Sequence, residues 1–178
     1  MTSTNDRWVV AVHEAGHGVA GVELGGRCVG LALTSDGGGI AGVPDLHGDR
    51  HVFMVAAGPA AEYLATEYDA PELPVVEPTA PVEDTTDDFA AEWFEHAIAK
   101  SEKHPQFCVS DDRTIALWAI TGREDDPDSW SRRVQFAKRI AGEIVEANVD
   151  KIVRVAEALF IRGRLSRDEV SSYLNTRT

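Results

Sequence analysis

The chain has little cysteine, no excess of positive charge and no long apolar run, and each shortage closes off a class of protein. Its two cysteines, Cys28 and Cys108, are too few and too far apart for a disulfide scaffold or a cysteine-rich zinc site. Reduced, structural thiols are expected. The 17 basic residues are outnumbered by 30 acidic ones, a net charge of −13, which opposes nucleic acid or an anionic membrane as a partner. The longest apolar stretch, Val52 to Ala65, is broken by Gly58, Pro59 and Glu62 and falls short of the ~20 residues a membrane-spanning helix needs. No basic segment leads into an apolar core at the N-terminus, so no secretory leader is expected. No loop of the GxxxxGK[ST] type is present to cradle a phosphate, so ATP binding is unsupported. These absences point to a cytoplasmic protein.

What is there suffices for one well-buried core: 178 residues, 43% of them hydrophobic. A single domain over residues 1–178 is expected. Much of the charge imbalance comes from Glu67 to Asp88, which holds eight carboxylates, four of the eight prolines and no Lys or Arg. Such a stretch cannot bury enough apolar surface to order itself, and it reads as a mobile acidic insertion at 67–88.

Apolar periodicity predicts mostly helix. Asp6 to Leu24 carries Trp8, Val9, Val12, Val19 and Ala20 at helical spacing, offers Thr4, Asn5 and Asp6 as caps, and stops at Gly25-Gly26. Cys28 to Thr34 and Ile40 to Val43, joined by Ser35-Asp36-Gly37-Gly38-Gly39, read as a β-hairpin. Further helices are expected over His51 to Leu64, from Phe89 through Ile98 toward His104, from Asp111 to Gly122, from Trp130 to about Asn148, and from Val149 to Ile161. A short last helix follows Ser166, where Ser166 and Glu169 form a capping box. The fold class is therefore mainly α (α+β), helices with one small β-hairpin.

The chemistry lies in His13-Glu14-Ala15-Gly16-His17. On a helix, residues four apart share a face, so His13 and His17 can ligate one metal while Glu14, about 100° round, reaches a water on it. Imidazole suits Zn²⁺, and zinc lowers the pKa of bound water from 15.7 to roughly 7. A glutamate beside that water can take its proton and later give it to a leaving amine. Gly16 and Gly18 are odd inside a helix, at a cost of about 1 kcal/mol each relative to alanine, and suggest a close backbone approach.

A zinc hydrolase usually has three protein ligands. The HExxHxxGxxH extension is absent, because Ala20 and Glu23 occupy its last two positions. Candidates for the third ligand are Glu62, Asp111, Asp112, His47, His51, His96 and His104.

Four stretches resemble the proteolytic domain of the FtsH family of zinc proteases, and more closely its small stand-alone relatives. Val12 to His17 matches the HEAGH helix, and Ala57-Gly58-Pro59-Ala60-Ala61-Glu62 looks like the AGRAAE segment with Pro59 in place of arginine. Ser110-Asp111-Asp112 through Ala116 looks like S-N-D-L-x-x-A, and Ile152 to Leu174 is similar to the closing helices. The resemblance implies a helical, zincin-like metallopeptidase with one Zn²⁺ held by His13, His17 and Asp112. It also implies Glu14 as catalytic base and Glu62 as a carboxylate supporting the site from behind. Asp111 is the neighbouring alternative, and His47 and His51 have no counterpart in the family.

FtsH proteins carry a membrane anchor and an ATPase module before the protease, whereas this chain begins twelve residues ahead of His13. The expectation is a peptidase that does not unfold substrates itself. It would cleave peptides or flexible protein segments, with folded proteins needing a separate delivery partner. A peptide is expected to add as a strand near Leu31 to Leu33. The alternative is a zinc-binding, peptidase-like regulatory or interaction protein without turnover.

Overall fold

The structure is a computed structural model that describes residues 4–35, 37–72, 111–121 and 127–175. The motif helix α1 (Thr4–Glu23) runs through the centre of the fold. Its Trp8, Val12, Ala15 and Val19 recur every three or four residues, and all four are buried. The hairpin β1 (Gly30–Leu33) and β2 (Gly39–Gly42) follows, then α2 (Asp49–Ala61) and the single turn α3 (Leu64–Glu67). The chain continues with α4 (Asp111–Ile120), α5 (Pro127–Ala147), α6 (Val149–Arg162), a third strand β3 (Arg164–Ser166) and α7 (Arg167–Asn175). Mainly helical with a small sheet is thus the observed class. Among the described residues, no helix is long and apolar enough to cross a membrane.

One core joins α1 to α2, α6 and the hairpin. In α6 the stripe Ile152, Val155, Ala156, Leu159 and Phe160 is buried and meets α1 through an edge-to-face contact of Phe160 with Trp8, ring centroids 5.7 Å apart. Arg7 fastens the end of α6, its Nε and Nη2 donating to the Phe160 carbonyl at 3.2 and 2.9 Å. The glycines of α1 answer the question their sequence raised. A Cβ on Gly16 would stand 2.8 Å from both the Ala57 carbonyl oxygen and Ala61 Cβ, and one on Gly18 would meet Leu31 at 2.9 Å. Helix α2 and the sheet therefore approach α1 more closely than alanine permits.

Three differences from the sequence expectations stand out. The helix expected over His51 to Leu64 is two helices, breaking after Ala61. The hairpin has a third strand, because Gly163 takes a left-handed cap conformation (φ 75°) and sends Arg164–Ser166 back alongside β1. The strand order is β2-β1-β3, antiparallel throughout, so Leu31 and its neighbours lie in the central strand with both edges paired. A peptide cannot add there. Among the described residues, the outer edge of β2 pairs with nothing.

The capping box forms, with the Ser166 N–H donating to Glu169 Oε2 at 2.8 Å and the Glu169 N–H to Ser166 Oγ at 3.4 Å. Residues 73–88 of the acidic stretch, the helix expected from Phe89, Cys108 and Ser110 lie outside the described residues. Cys28 is free and buried, and burial pushes its thiol up to about 12, as suits an unreactive packing residue.

Candidate metal centre

Helix α1 offers His13 and His17 from consecutive turns, and α2 passes antiparallel across both rings. Three positions spaced by four residues, Met54 and Gly58 in α2 and Glu62 at its C-terminal cap, do the work. The Met54 carbonyl accepts a hydrogen bond from His17 Nδ1 at 2.9 Å, and Glu62 Oε1 accepts one from His13 Nδ1 at 2.8 Å. Both rings are thereby held in the tautomer and orientation that turn Nε2 outward. The two Nε2 atoms face each other at 3.0 Å.

The start of α4 closes the cluster. Asp111 Oδ2 lies 2.8 Å from His13 Nε2 and 3.3 Å from His17 Nε2. Three electron-rich atoms so close together need protons or a cation between them. Tetrahedral bonds of ~2.0–2.1 Å place ligand atoms about 3.3 Å apart, near the spacings seen, so the donor set and its size fit zinc. His13, His17 and Asp111 are the group of described residues able to hold a metal ion.

The carboxylate is Asp111, which corrects the assignment of Asp112. Helix α4 begins at Asp111 and buries Ile115 and Ala119, four and eight residues on, against its neighbours. Asp111 shares that inward face, whereas Asp112 is turned by about 100° and is exposed, as is Ala116 one turn after it. The apolar phase of α4, set by Ile115 and Ala119, is the sequence signal that distinguishes the two aspartates. Of the other candidates, His47 is exposed, His51 is half-buried, and neither joins the cluster. His96 and His104 lie outside the described residues.

Glu14 is buried between α1 and β2. A Cβ on Gly39 would fall 2.7 Å from its Oε1, so the carboxylate lies directly against the edge strand. The electrostatics of the group are coherent. Burial pushes the Glu14 carboxyl up, with His17 and His13 opposing and Asp111 adding to the rise. Burial opposes charge on His13, yet its bond to Asp111 and the nearby Glu14 and Glu62 outweigh this and hold it at about 9. His17 is likewise raised against burial by Asp111 and Glu14. The two imidazoles, outweighing burial, hold Asp111 well below the usual carboxylate range. Without a metal the cluster retains protons, and a cation entering it must displace them.

Gly58 was not identified from sequence as a site residue. A Cβ there would overlap the His17 ring and reach His13 Nε2 at 2.8 Å, and neither ring is free to move because both Nδ1 atoms are engaged. Gly58→Ala is expected to lower divalent-metal affinity by roughly 10- to 100-fold, in the range found when a ligand's support is lost, while the protein stays folded. Competitive zinc titration checks this, and an unchanged affinity would show that the histidines need not converge as described.

Comparison with known proteins bears on the same region. No curated protein matches the chain significantly. A family model described as Peptidase M50B-like matches residues 6–66, a stretch that holds His13, Glu14, His17, Gly58 and Glu62 but ends before Asp111. This similarity supports a metallopeptidase-type domain.

Proposed function

We propose that the chain is a zinc-dependent metallopeptidase of FtsH type that hydrolyses peptide bonds in peptides or flexible protein segments. The observation that carries this is the convergence of His13 Nε2, His17 Nε2 and Asp111 Oδ2 beside a buried, non-ligating Glu14. A structural metal site has no need of such a carboxylate. The FtsH-type part of the reading rests on four segments in the family's order, two of which lie beyond the stretch matched to the Peptidase M50B-like family.

His13, His17 and Asp111 would hold the zinc, which supplies a Lewis acid able to polarise a carbonyl and to acidify water. Glu62 and the Met54 carbonyl fix the two rings. Glu14 takes the proton of the attacking water and passes it to the leaving amine; a carboxyl raised by burial suits both halves of that task. The edge strand β2, touching Glu14 at Gly39, gives an extended peptide a place to pair by main-chain hydrogen bonds.

The test is metal content with turnover. The purified chain is expected to carry about one zinc per protomer after mild dialysis and to degrade casein in a reaction stopped by a chelator and restored by zinc. Less than about a tenth of an equivalent, not restored by added zinc, refutes the metal assignment. Zinc at full occupancy without turnover of casein would favour the regulatory alternative.

A further inference from the structure

Three glycines run together at the tip of the hairpin, Gly37, Gly38 and Gly39, and backbone conformation explains only part of the run. Gly37 has a φ of 91°, a region that favours glycine. Gly39 lacks a positive φ. It is the first residue of β2, paired by register with Leu33, in a conformation open to any L residue. A glycine there weakens the strand, since it has no side chain to pack and more freedom to lose, and such a position often marks a close approach by another group.

The group that approaches is Glu14. A Cβ on Gly39 would stand 2.4 Å from Glu14 Cγ, 2.7 Å from Oε1 and 2.8 Å from Cδ, and these are its three nearest heavy atoms. The first contact is with the middle of the side chain rather than a loose end, and Glu14 is buried. An added methyl must therefore turn Glu14 into another rotamer and carry the carboxylate with it, or push β2 off its pairing with β1.

The main chain of Gly39 faces a different way. Thr34 donates its N–H to the Gly38 carbonyl at 2.9 Å, whereas Leu33 donates its N–H to the Gly163 carbonyl at 2.8 Å, on the β3 side. Bonded and non-bonded pairs alternate along an antiparallel ladder, so Gly38 bonds inward to β1 and Gly39 turns its N–H and C=O toward the outer edge of β2, which is unpaired among the described residues.

We infer that Gly39 is a positioning residue for hydrolysis, the empty seat against which the Glu14 carboxylate is set. This rests on the peptidase reading and adds to it a residue that acts through the base. Alanine at this position fills the seat but keeps the outward N–H and C=O on which a peptide would pair, so the loss falls on kcat and spares KM.

The experiment uses the zinc-loaded full chain and a flexible fluorogenic peptide. Gly39→Ala is expected to keep its zinc, hold KM within about twofold and lose kcat by roughly 10- to 10²-fold, the scale of a catalytic group displaced by about 1 Å. In the Glu14→Gln background, where no base remains to be misplaced, the same change should alter the residual rate less than about twofold. Melting of the metal-free chains gives a readout without activity. Glu14→Ala deletes the three atoms that the new methyl meets, so Gly39→Ala should change the melting temperature at least about 2 °C more favourably there than in the wild type. An unchanged kcat, a loss confined to KM, an equal loss in the Glu14→Gln background or additive melting temperatures would overturn the inference. Should Gly39→Ala alone not fold, adding Glu14→Ala is expected to restore folding, and failure of that rescue overturns it too. If the wild type cleaves no peptide, the peptidase reading fails and the melts decide: coupling keeps Gly39 as the seat of Glu14, and additivity removes it.

Discussion

Glu14→Gln is expected to retain zinc at wild-type stoichiometry while hydrolysis falls by roughly 10² to 10⁴, the usual range for loss of a positioned general base. The substitution keeps the length and shape of a side chain packed against Gly39, so neither α1 nor β2 needs to move. It leaves untouched the three atoms that converge on the metal position, since Glu14 is not among them. What it removes is the capacity to accept a proton from water and return it to the amine. Zinc content and rate measured on one preparation separate this from a folding defect, which would lower both. Hydrolysis unchanged in this variant would place the measured activity elsewhere, and the regulatory alternative would become the better account of the site.

The sequence was most legible where one physical rule governs the outcome. The i, i+4 spacing of His13 and His17, the apolar stripe of α6 and the Ser166–Glu169 box are each local, and each appears as expected. Features that depend on two elements meeting were harder. The register of α4 turns on which face of a helix packs inward, and the buried pair Ile115 and Ala119 decides it for Asp111. Strand β3 is three residues long and exists because a left-handed glycine ends α6 beside β1, too short a run for alternation to register. That strand also explains why Leu31 to Leu33 cannot take a peptide: β1 looked like half of a hairpin and is the middle of a sheet. Gly58 carries no side chain whose chemistry could have drawn notice, and its role is to leave room. Glu62 was expected as a supporting carboxylate from the family resemblance, and its bond to His13 Nδ1 gives that expectation a geometry.

The pair of neighbouring aspartates offers the sharpest separation of roles. Asp111→Ala removes one of three atoms around the metal position and leaves two imidazoles facing each other at 3.0 Å with no anionic ligand between them. Its zinc affinity is expected to fall by more than the 10- to 100-fold that loss of an outer partner costs, and activity should fall with it. Asp111→Asn should lie between, since the amide oxygen can still point inward but brings no charge. Asp112→Ala alters an exposed side chain in the first turn of α4, where only an interaction with the free helix N–H groups and dipole is at stake, so it should cost no more than about 1 kcal/mol of stability and leave zinc in place. Zinc affinity by competition with a chromophoric chelator, alongside thermal melts of the metal-free variants, reads the two quantities independently. Should Asp112→Ala strip the metal while Asp111→Ala keeps it, α4 must enter the site one residue later than described, with Ala116 rather than Ile115 on its inward face.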